Sequence, residues 1–453
     1  MWISAPFGAR AANVSRWRSP RVYRGRVVVP TSKYGVHPID DLGDTTPQVQ
    51  ERLAALFGVT DGGPATRGRS AGVRPDYHHE VRVEPFAVEV PDSVLQDLRE
   101  RVRRTRWPDP APGEPWAQGV DLDYLRGLLE YWADGFDWRS QERWLNRFQH
   151  RVAHVDGVRI HFVHHRAAHG GVALVLSHGW PSTFVELLSL VDRLGDRFDL
   201  VVPSLPGYAF SERPRRAGVD RAFVAGLWHR LMQGLGYERY GAHGGDFGAG
   251  VATSMALAQP QRVIGIHLST PEVWPYTGPG ATSLSPEEQA YVDHVARWEE
   301  TERGYSAVQS TRPQTLAYGL HDSPAGLAAW VLDKWRSWSD SGGDLDARFG
   351  RDALLTMLTL WWATGSITSS MRDYYDNRWH GTPIGPADFV TAPTAMAVFA
   401  HEFVSEGEPP RSWFERLYNI RRWTVFPRGG HFAAAEEPDL LASDIAEFFT
   451  DLP

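Results

Sequence analysis

Apolar residues recur in two rhythms along this chain, and the change between them marks its parts. Val94, Leu95, Leu98 and Val102 keep helical spacing after Asp92, which reads as an N-cap. A second amphipathic helix is predicted from Leu122 to Asp134, with Leu125, Leu128, Leu129 and Trp132 as its apolar stripe. A third covers Trp138 to Phe148. Each is polar on its other face, so each must pack on something larger. From about His150 the pattern changes to short apolar runs. Arg159 to His164 reads as a strand, and Val172 to Ser177 as a buried parallel strand ending in a His-Gly-Trp-Pro turn. Helix Phe184 to Leu194, strand Phe198 to Pro203, helix Arg221 to Leu235 and strand Tyr240 to His243 follow. Helix Gly250 to Ala258 and strand Val263 to Ser269 complete the series. Such alternation with short connections predicts an α/β fold with a mostly parallel central sheet flanked by helices.

The alternation breaks over 271–392, which is helical in pattern and rich in Trp and Tyr. It resumes at Pro393 to Ala400 and Trp423 to Pro427, with a last helix from Pro438 to Phe449. A helical block between two strands of one sheet is a lid. The expected division is therefore an N-terminal extension (1–80), a helical N-terminal region (81–150), a core (151–270 and 393–453) and the lid (271–392). The extension holds 11 basic and 7 acidic residues, against 36 and 48 in the rest. Asp61 to Pro75, rich in Gly, Arg and Pro, reads as a linker, and Thr46 to Gly58 as one short helix in an otherwise weakly ordered head. No apolar run approaches the roughly 20 residues that span a bilayer. The start lacks the apolar core of a secretory signal. A soluble, cytoplasmic protein is expected.

Composition narrows the chemistry. The chain has no cysteine, so a thiolate metal site, a disulfide and a cysteine nucleophile are excluded. Only Lys33 and Lys334 are lysines among 47 basic residues, which leaves almost no candidate for a Schiff base. The net charge of −8 argues against a nucleic-acid partner.

An oxygen nucleophile remains, and His243-Gly-Gly-Asp-Phe-Gly248 supplies one. It falls between a strand and a helix, with Gly244 and Gly248 two residues either side of Asp246. That is the small-x-nucleophile-x-small pattern of a nucleophile elbow, a turn so tight that larger flanking side chains would clash. The exposed residue here is an aspartate. A carboxylate is ionised at neutral pH without help. It suits attack on a saturated carbon carrying a leaving group, giving an alkyl-enzyme ester that water must hydrolyse. Trp180, in His178-Gly-Trp-Pro181, and Phe247 would supply the two oxyanion-hole N–H groups. His431, in Arg428-Gly-Gly-His-Phe432, stands where a general base belongs, and Glu402, at the end of a late strand, is the acid to orient it. Asp376 and Glu436 are weaker rivals for that place. The order Asp, Glu, His matches α/β-hydrolases.

With these residues in view, the chain resembles an α/β-hydrolase-fold epoxide hydrolase, of the subfamily that includes microsomal and juvenile hormone epoxide hydrolases. The resemblance runs from about Glu84 to the C-terminus. It rests on PFAVEVPDSVLQDLRERVRRTRWPD, LDYLRGLLEYWADGFDWRSQERWLNRF, HGWPSTFVE, GGDFG, HDSPAGLAAW, TGSITSSMRDYY and RGGHFAAAEEPDLL together. It implies an N-terminal arm and helices that wrap the core and reach the lid. It also implies two lid tyrosines, Tyr305 and Tyr374, that hold the epoxide oxygen during ring opening, with Tyr375 pointing elsewhere. The chain departs from the pattern at Phe247, where the subfamily commonly has Trp, and in its polar head, where microsomal relatives begin with a membrane anchor.

The expected reaction is conversion of a hydrophobic epoxide and water to a vicinal diol, as in detoxification, without metal or organic cofactor. No nucleic-acid partner and no membrane span are expected, and a homodimer is one assembly to consider. The abundance of Trp in the lid block, including Trp330, Trp335, Trp338, Trp361 and Trp362, suggests an aromatic-lined pocket, although for any one of them packing within the lid is the preferred reading. A haloalkane dehalogenase would share the elbow and the histidine, but Phe247 lacks an indole N–H for halide and the tyrosines would be idle. A non-catalytic ligand-binding homologue is the rival from another class. A serine esterase would need serine at 246.

Overall fold

Each apolar run from Val172 to Ser269 becomes a strand with both faces covered, as continuous hydrophobic segments in a parallel sheet must be. The structure, a computed structural model, describes residues 21–23, 26–28, 81–271, 273–402 and 409–452. The helix expected from Thr46 to Gly58 and the weak order expected of the head lie outside these residues. The chain divides into two compact units, Met1–Tyr77 and His78–Pro453. In the first, strands β1 (Arg21–Tyr23) and β2 (Arg26–Val28) pair antiparallel.

The second unit carries a nine-stranded sheet. Its strands are β3 (Val83–Pro85), β4 (His150–Val155), β5 (Val158–His165), β6 (Val172–Ser177), β7 (Phe198–Pro203), β8 (Tyr240–Asp246), β9 (Val263–Pro271), β10 (Val390–His401) and β11 (Tyr418–Gly430). They lie in the order β11-β10-β9-β8-β6-β7-β5-β4-β3. The neighbours from β7 through β6, β8, β9 and β10 to β11 are parallel, while β5, β4 and β3 join antiparallel. The crossover from β6 to β8 around β7 leaves the C-terminal ends of β6 and β8 side by side. Ligand sites in such sheets form there.

Two features depart from the sequence expectation. β4 and β3 were not foreseen: they are short, and β4 carries histidines. His150 and His161 are nonetheless buried, because His150 Nδ1, His161 and Ser204 form a chain of hydrogen bonds of 2.9 Å each. Asp92 is the first residue of its helix (Asp92–Arg103) and not its cap; Pro91 holds that place. The Asp92 carboxylate pairs with Arg139 instead.

The N-terminal helices fix the lid to the core. Helix Leu122–Asp134 is capped by Asp121, which accepts from Asp123 N and Tyr124 N, and buries Leu128, Leu129 and Trp132. Trp132 Nε1 donates to Thr359 Oγ1 at 2.9 Å, on lid helix Arg351–Thr364. Tyr124 and Tyr131 bond Asp346 and Asp352 beside it. The third helix stops at Leu145, short of the expected Phe148, where the Asn146 side chain turns to pair with both backbone groups of Val88. Eight helices between Pro286 and His380 form the block inserted between β9 and β10. Among the described residues no helix is long and apolar enough to cross a membrane.

Candidate active site

The elbow forms because β8 runs into helix Phe247–Ala258 with no loop between them. The strand extends three residues past the predicted end, and the helix starts three residues early. Asp246 absorbs the whole turn at φ 53°, ψ −130°, a conformation a non-glycine residue rarely adopts. A Cβ at Gly244 would overlap the Gly248 backbone, and one at Gly248 would overlap the Ser177 carbonyl on β6. The flanking glycines are thus demanded by backbone approach. Gly179 is demanded by the carboxylate itself, because a Cβ there would overlap Asp246 Oδ1.

The Asp246 carboxylate is buried and points between two partners. Oδ1 accepts from Trp180 N at 2.8 Å, and the Phe247 N–H also hydrogen-bonds the carboxylate. Oδ2 faces His431 Nε2 at 3.7 Å. His431 Nδ1 meets Glu402 Oε1 at 2.7 Å, while Glu402 Oε2 accepts from Thr270 Oγ1 at 2.9 Å. The acid is therefore held from both oxygens, which fixes the imidazole ring behind the nucleophile. The rival acids lie elsewhere. Asp376 accepts from Gly218 N and Val219 N, and Glu436 accepts from Asp340 N and Phe432 N.

Electrostatics follow from this packing. Burial alone would lower His431, but Glu402, Asp246 and Glu186 outweigh it and push the imidazole up to about 9. Burial raises Asp246, against the pull of His431 and of the two N–H groups. Glu186 is pushed up to about 7 by burial, with Ser182 and His431 opposing and Glu436 and Asp246 adding to the rise. Sequence reasoning assigned no role to Glu186 or Thr270. Glu186 was visible only as the last residue of HGWPSTFVE; the 3-10 turn Phe184–Leu187 brings it back toward His431.

Two cavities lie beside these residues. The larger, about 440 Å³, is bordered by Tyr305, Tyr374, Phe247 and Glu402 and by Trp274, Tyr291, Trp298, Phe414 and Trp423. The smaller, about 20 Å³, is bordered by Asp246, His431, Glu186, Ser182 and Gly179. Ser269 borders both. The aromatic lining expected of the pocket is present, but from other residues: none of Trp330, Trp335, Trp338, Trp361 and Trp362 lines it. Trp335, Trp338 and Trp361 are buried where the lid meets the core instead: Trp335 stacks on Phe432, Trp338 stands edge-on to Trp180 and His431, and Trp361 packs on Tyr208.

The structure brings the two lid tyrosines together over the elbow. Tyr305 stacks on the Trp180 indole, centroids 5.4 Å apart and planes 8° apart. Tyr374 stands edge-on to Trp180, Phe247 and Tyr305 at 5.7, 4.9 and 5.8 Å. Phe247 thus contributes its N–H below and its ring to the placing of Tyr374. Tyr375 turns outward and packs against Trp379 and His380.

A carboxylate elbow, a carboxylate–imidazole pair behind it and a mostly parallel sheet with an inserted helical lid define an α/β-hydrolase with an aspartate at its elbow. The comparisons narrow the class. The epoxide hydrolase N-terminus family model matches residues 83–187, and the α/β hydrolase fold model matches 172–317. A protein of Stigmatella aurantiaca that carries the epoxide hydrolase name is 40% identical over 382 residues, covering 82% of this chain and 85% of that one. Epoxide hydrolase 1 of Sus scrofa is 32% identical over 419 residues, covering 83% and 90%. The crystal structure of juvenile hormone epoxide hydrolase from the silkworm Bombyx mori superimposes with a TM-score of 0.73 at 29% identity, covering 82% and 95%. This chain belongs to the epoxide hydrolase family.

Proposed function

We propose that this epoxide hydrolase converts a hydrophobic epoxide to a vicinal diol through an ester on Asp246. An Asp246 oxygen attacks an epoxide carbon, and the C–O bond breaks with its electron pair going to oxygen. Tyr305 and Tyr374 hold that oxygen, and a phenol gives it a proton. His431, oriented by Glu402, then takes a proton from water as the water adds to the ester carbonyl. The Trp180 and Phe247 N–H groups stabilise the oxyanion that forms there; as it collapses, the bond from the carbonyl carbon to the original Asp246 oxygen breaks, His431 gives its proton to that oxygen, and the diol leaves carrying it.

The observation that carries this reading is the placing of the carboxylate: one oxygen on Trp180 N, the other toward His431 Nε2, beneath two phenols. The charges support the order of steps. Before attack, Asp246 helps keep His431 protonated. The ester carries no charge, so its formation releases the imidazole toward the neutral form a base needs. A cavity of about 20 Å³ beside both residues offers room for about one water. The aromatic border of the larger cavity favours an apolar epoxide.

One turnover with excess enzyme in heavy-oxygen water tests the reading. Label is expected in the Asp246 carboxylate after digestion. Diol formed with no label at Asp246 overturns it. Chloride or bromide release from haloalkanes at a rate comparable to epoxide opening would favour the dehalogenase reading instead.

A further inference from the structure

Lys334 is one of two lysines in a chain whose other 45 basic residues are arginine. It is buried, 8% exposed, on lid helix Pro324–Trp338. Its Nζ lies 5.1 Å from the centre of the Tyr305 ring and 5.9 Å from that of Trp338. Asp333 Oδ2 pairs with it at 2.7 Å. Tyr305 is also the ring that stacks on Trp180, whose N–H holds Asp246, and Trp338 stands edge-on to it at 5.1 Å.

We propose that Lys334 is a positioning residue for ring opening: its ammonium, over the Tyr305 ring, stabilises that phenol as it gives its proton to the epoxide oxygen. The inference rests on the ring-opening role given to Tyr305 above. A cation over an aromatic face is attracted by the ring even when the phenol is neutral. When the hydroxyl proton moves to the alkoxide, the phenol becomes a phenolate with negative charge spread into its ring. The attraction then grows, in a site shielded from water. An interaction stronger in the transition state than in the ground state accelerates the step. The proton balance is simple: Tyr305 loses a proton to the substrate oxygen and regains one from solvent before the next cycle. An ammonium is a compact point charge, whereas a guanidinium is a wide planar fork. That difference supplies a physical reason for lysine here in a chain otherwise using arginine.

The test is a double-mutant cycle read in single-turnover stopped flow, with styrene oxide as the probe and tryptophan fluorescence reporting alkyl-enzyme formation. Lys334→Met is expected to slow alkylation roughly 10- to 30-fold, the range a desolvated cation–ring contact supports, and to leave ester hydrolysis unchanged. In a Tyr305→Phe background, which has no proton to give, the same substitution is expected to change nothing further. Lys334→Gln serves as the second neutral variant should the methionine fail to fold. A full alkylation rate in either folded variant overturns the proposal, as does an equal loss with and without the Tyr305 hydroxyl, which would mark Lys334 as packing alone. Wild-type alkylation by Tyr305→Phe itself overturns the ring-opening role and this inference with it; slowed alkylation by Tyr305→Phe keeps the two failures apart.

Discussion

Neutralising Asp246 should release His431 from its elevated pKa, and Asp246→Asn does so without removing the side chain. In the native site the imidazole stands at about 9 because Glu402, Asp246 and Glu186 outweigh burial. Asp246 Oδ2 is 3.7 Å from His431 Nε2. At an effective dielectric of 20, two unit charges at that distance attract by about 4 kcal/mol. Even a fraction of this is a large change in protonation, because about 1.4 kcal/mol shifts a proton equilibrium tenfold. The amide keeps the shape and the Trp180 contact but carries no charge, as the ester intermediate carries none. Nitrogen-15 NMR of the His431 ring, titrated from pH 5 to 10, is the assay. The variant's transition should move from about 9 toward the ordinary imidazole value of 6.5. A transition that stays near 9 would refute the reasoning, since Glu402 and Glu186 would then set the protonation and ester formation could not trigger the base.

Glu402→Gln should leave alkylation intact and slow ester hydrolysis roughly 100-fold, the lower range for losing acid–base assistance; a mass increase on Asp246 during turnover would report the trapped ester. Tyr374→Phe should slow alkylation roughly 100-fold, as loss of one oxyanion donor does elsewhere, with hydrolysis unaffected in the same single-turnover traces. Gly248→Ala should lower stability by about 3 kcal/mol, the upper range for forced overpacking, because the new Cβ meets the Ser177 backbone, which cannot swing aside; thermal unfolding checks it. His431 binds its proton more tightly folded than unfolded, so its contribution to stability is full below pH 6.5 and fades as pH rises through about 9. Denaturant titration across that window should find a loss of about 3 kcal/mol in wild type and less in Asp246→Asn.

Much of the core was legible because its strands are unbroken apolar runs, which have few places to go but a covered parallel sheet. Tyr240 to His243 was read too short for a physical reason. Gly244 and Gly245 carry no side chain to mark a strand, yet Gly244 pairs with Leu268 and Gly245 with Thr270. β4 was missed because His150 looks polar alone; only its contact with His161, eleven residues on, makes it a core residue. The same limit governs the site. Asp246 and its glycines are local, so the elbow could be read from five residues. Tyr305 and Tyr374 are 69 positions apart and meet only when two lid helices fold over Trp180. Their places came from resemblance, and composition could not have chosen them among 15 tyrosines. Which tryptophans line the pocket was illegible for the same reason, since a lid helix shows which residues are apolar but not which side of it is filled; packing, the preferred reading for each of the five, is what Trp335, Trp338 and Trp361 do.

The charges around His431 suggest why an aspartate elbow needs no separate switch between its two steps. Three carboxylates, Asp246, Glu402 and Glu186, surround one imidazole, and Asp246 raises both His431 and Glu186. In the proposed mechanism, esterification of Asp246 removes its charge from both. His431 then falls toward a neutral base beside the cavity that a water can enter. One covalent event therefore turns the imidazole into the base that hydrolysis needs. Glu402, with one oxygen on His431 Nδ1 and the other tied to Thr270, holds the ring in place. The nucleophile that makes the ester thus also arms its removal, by the loss of its own charge.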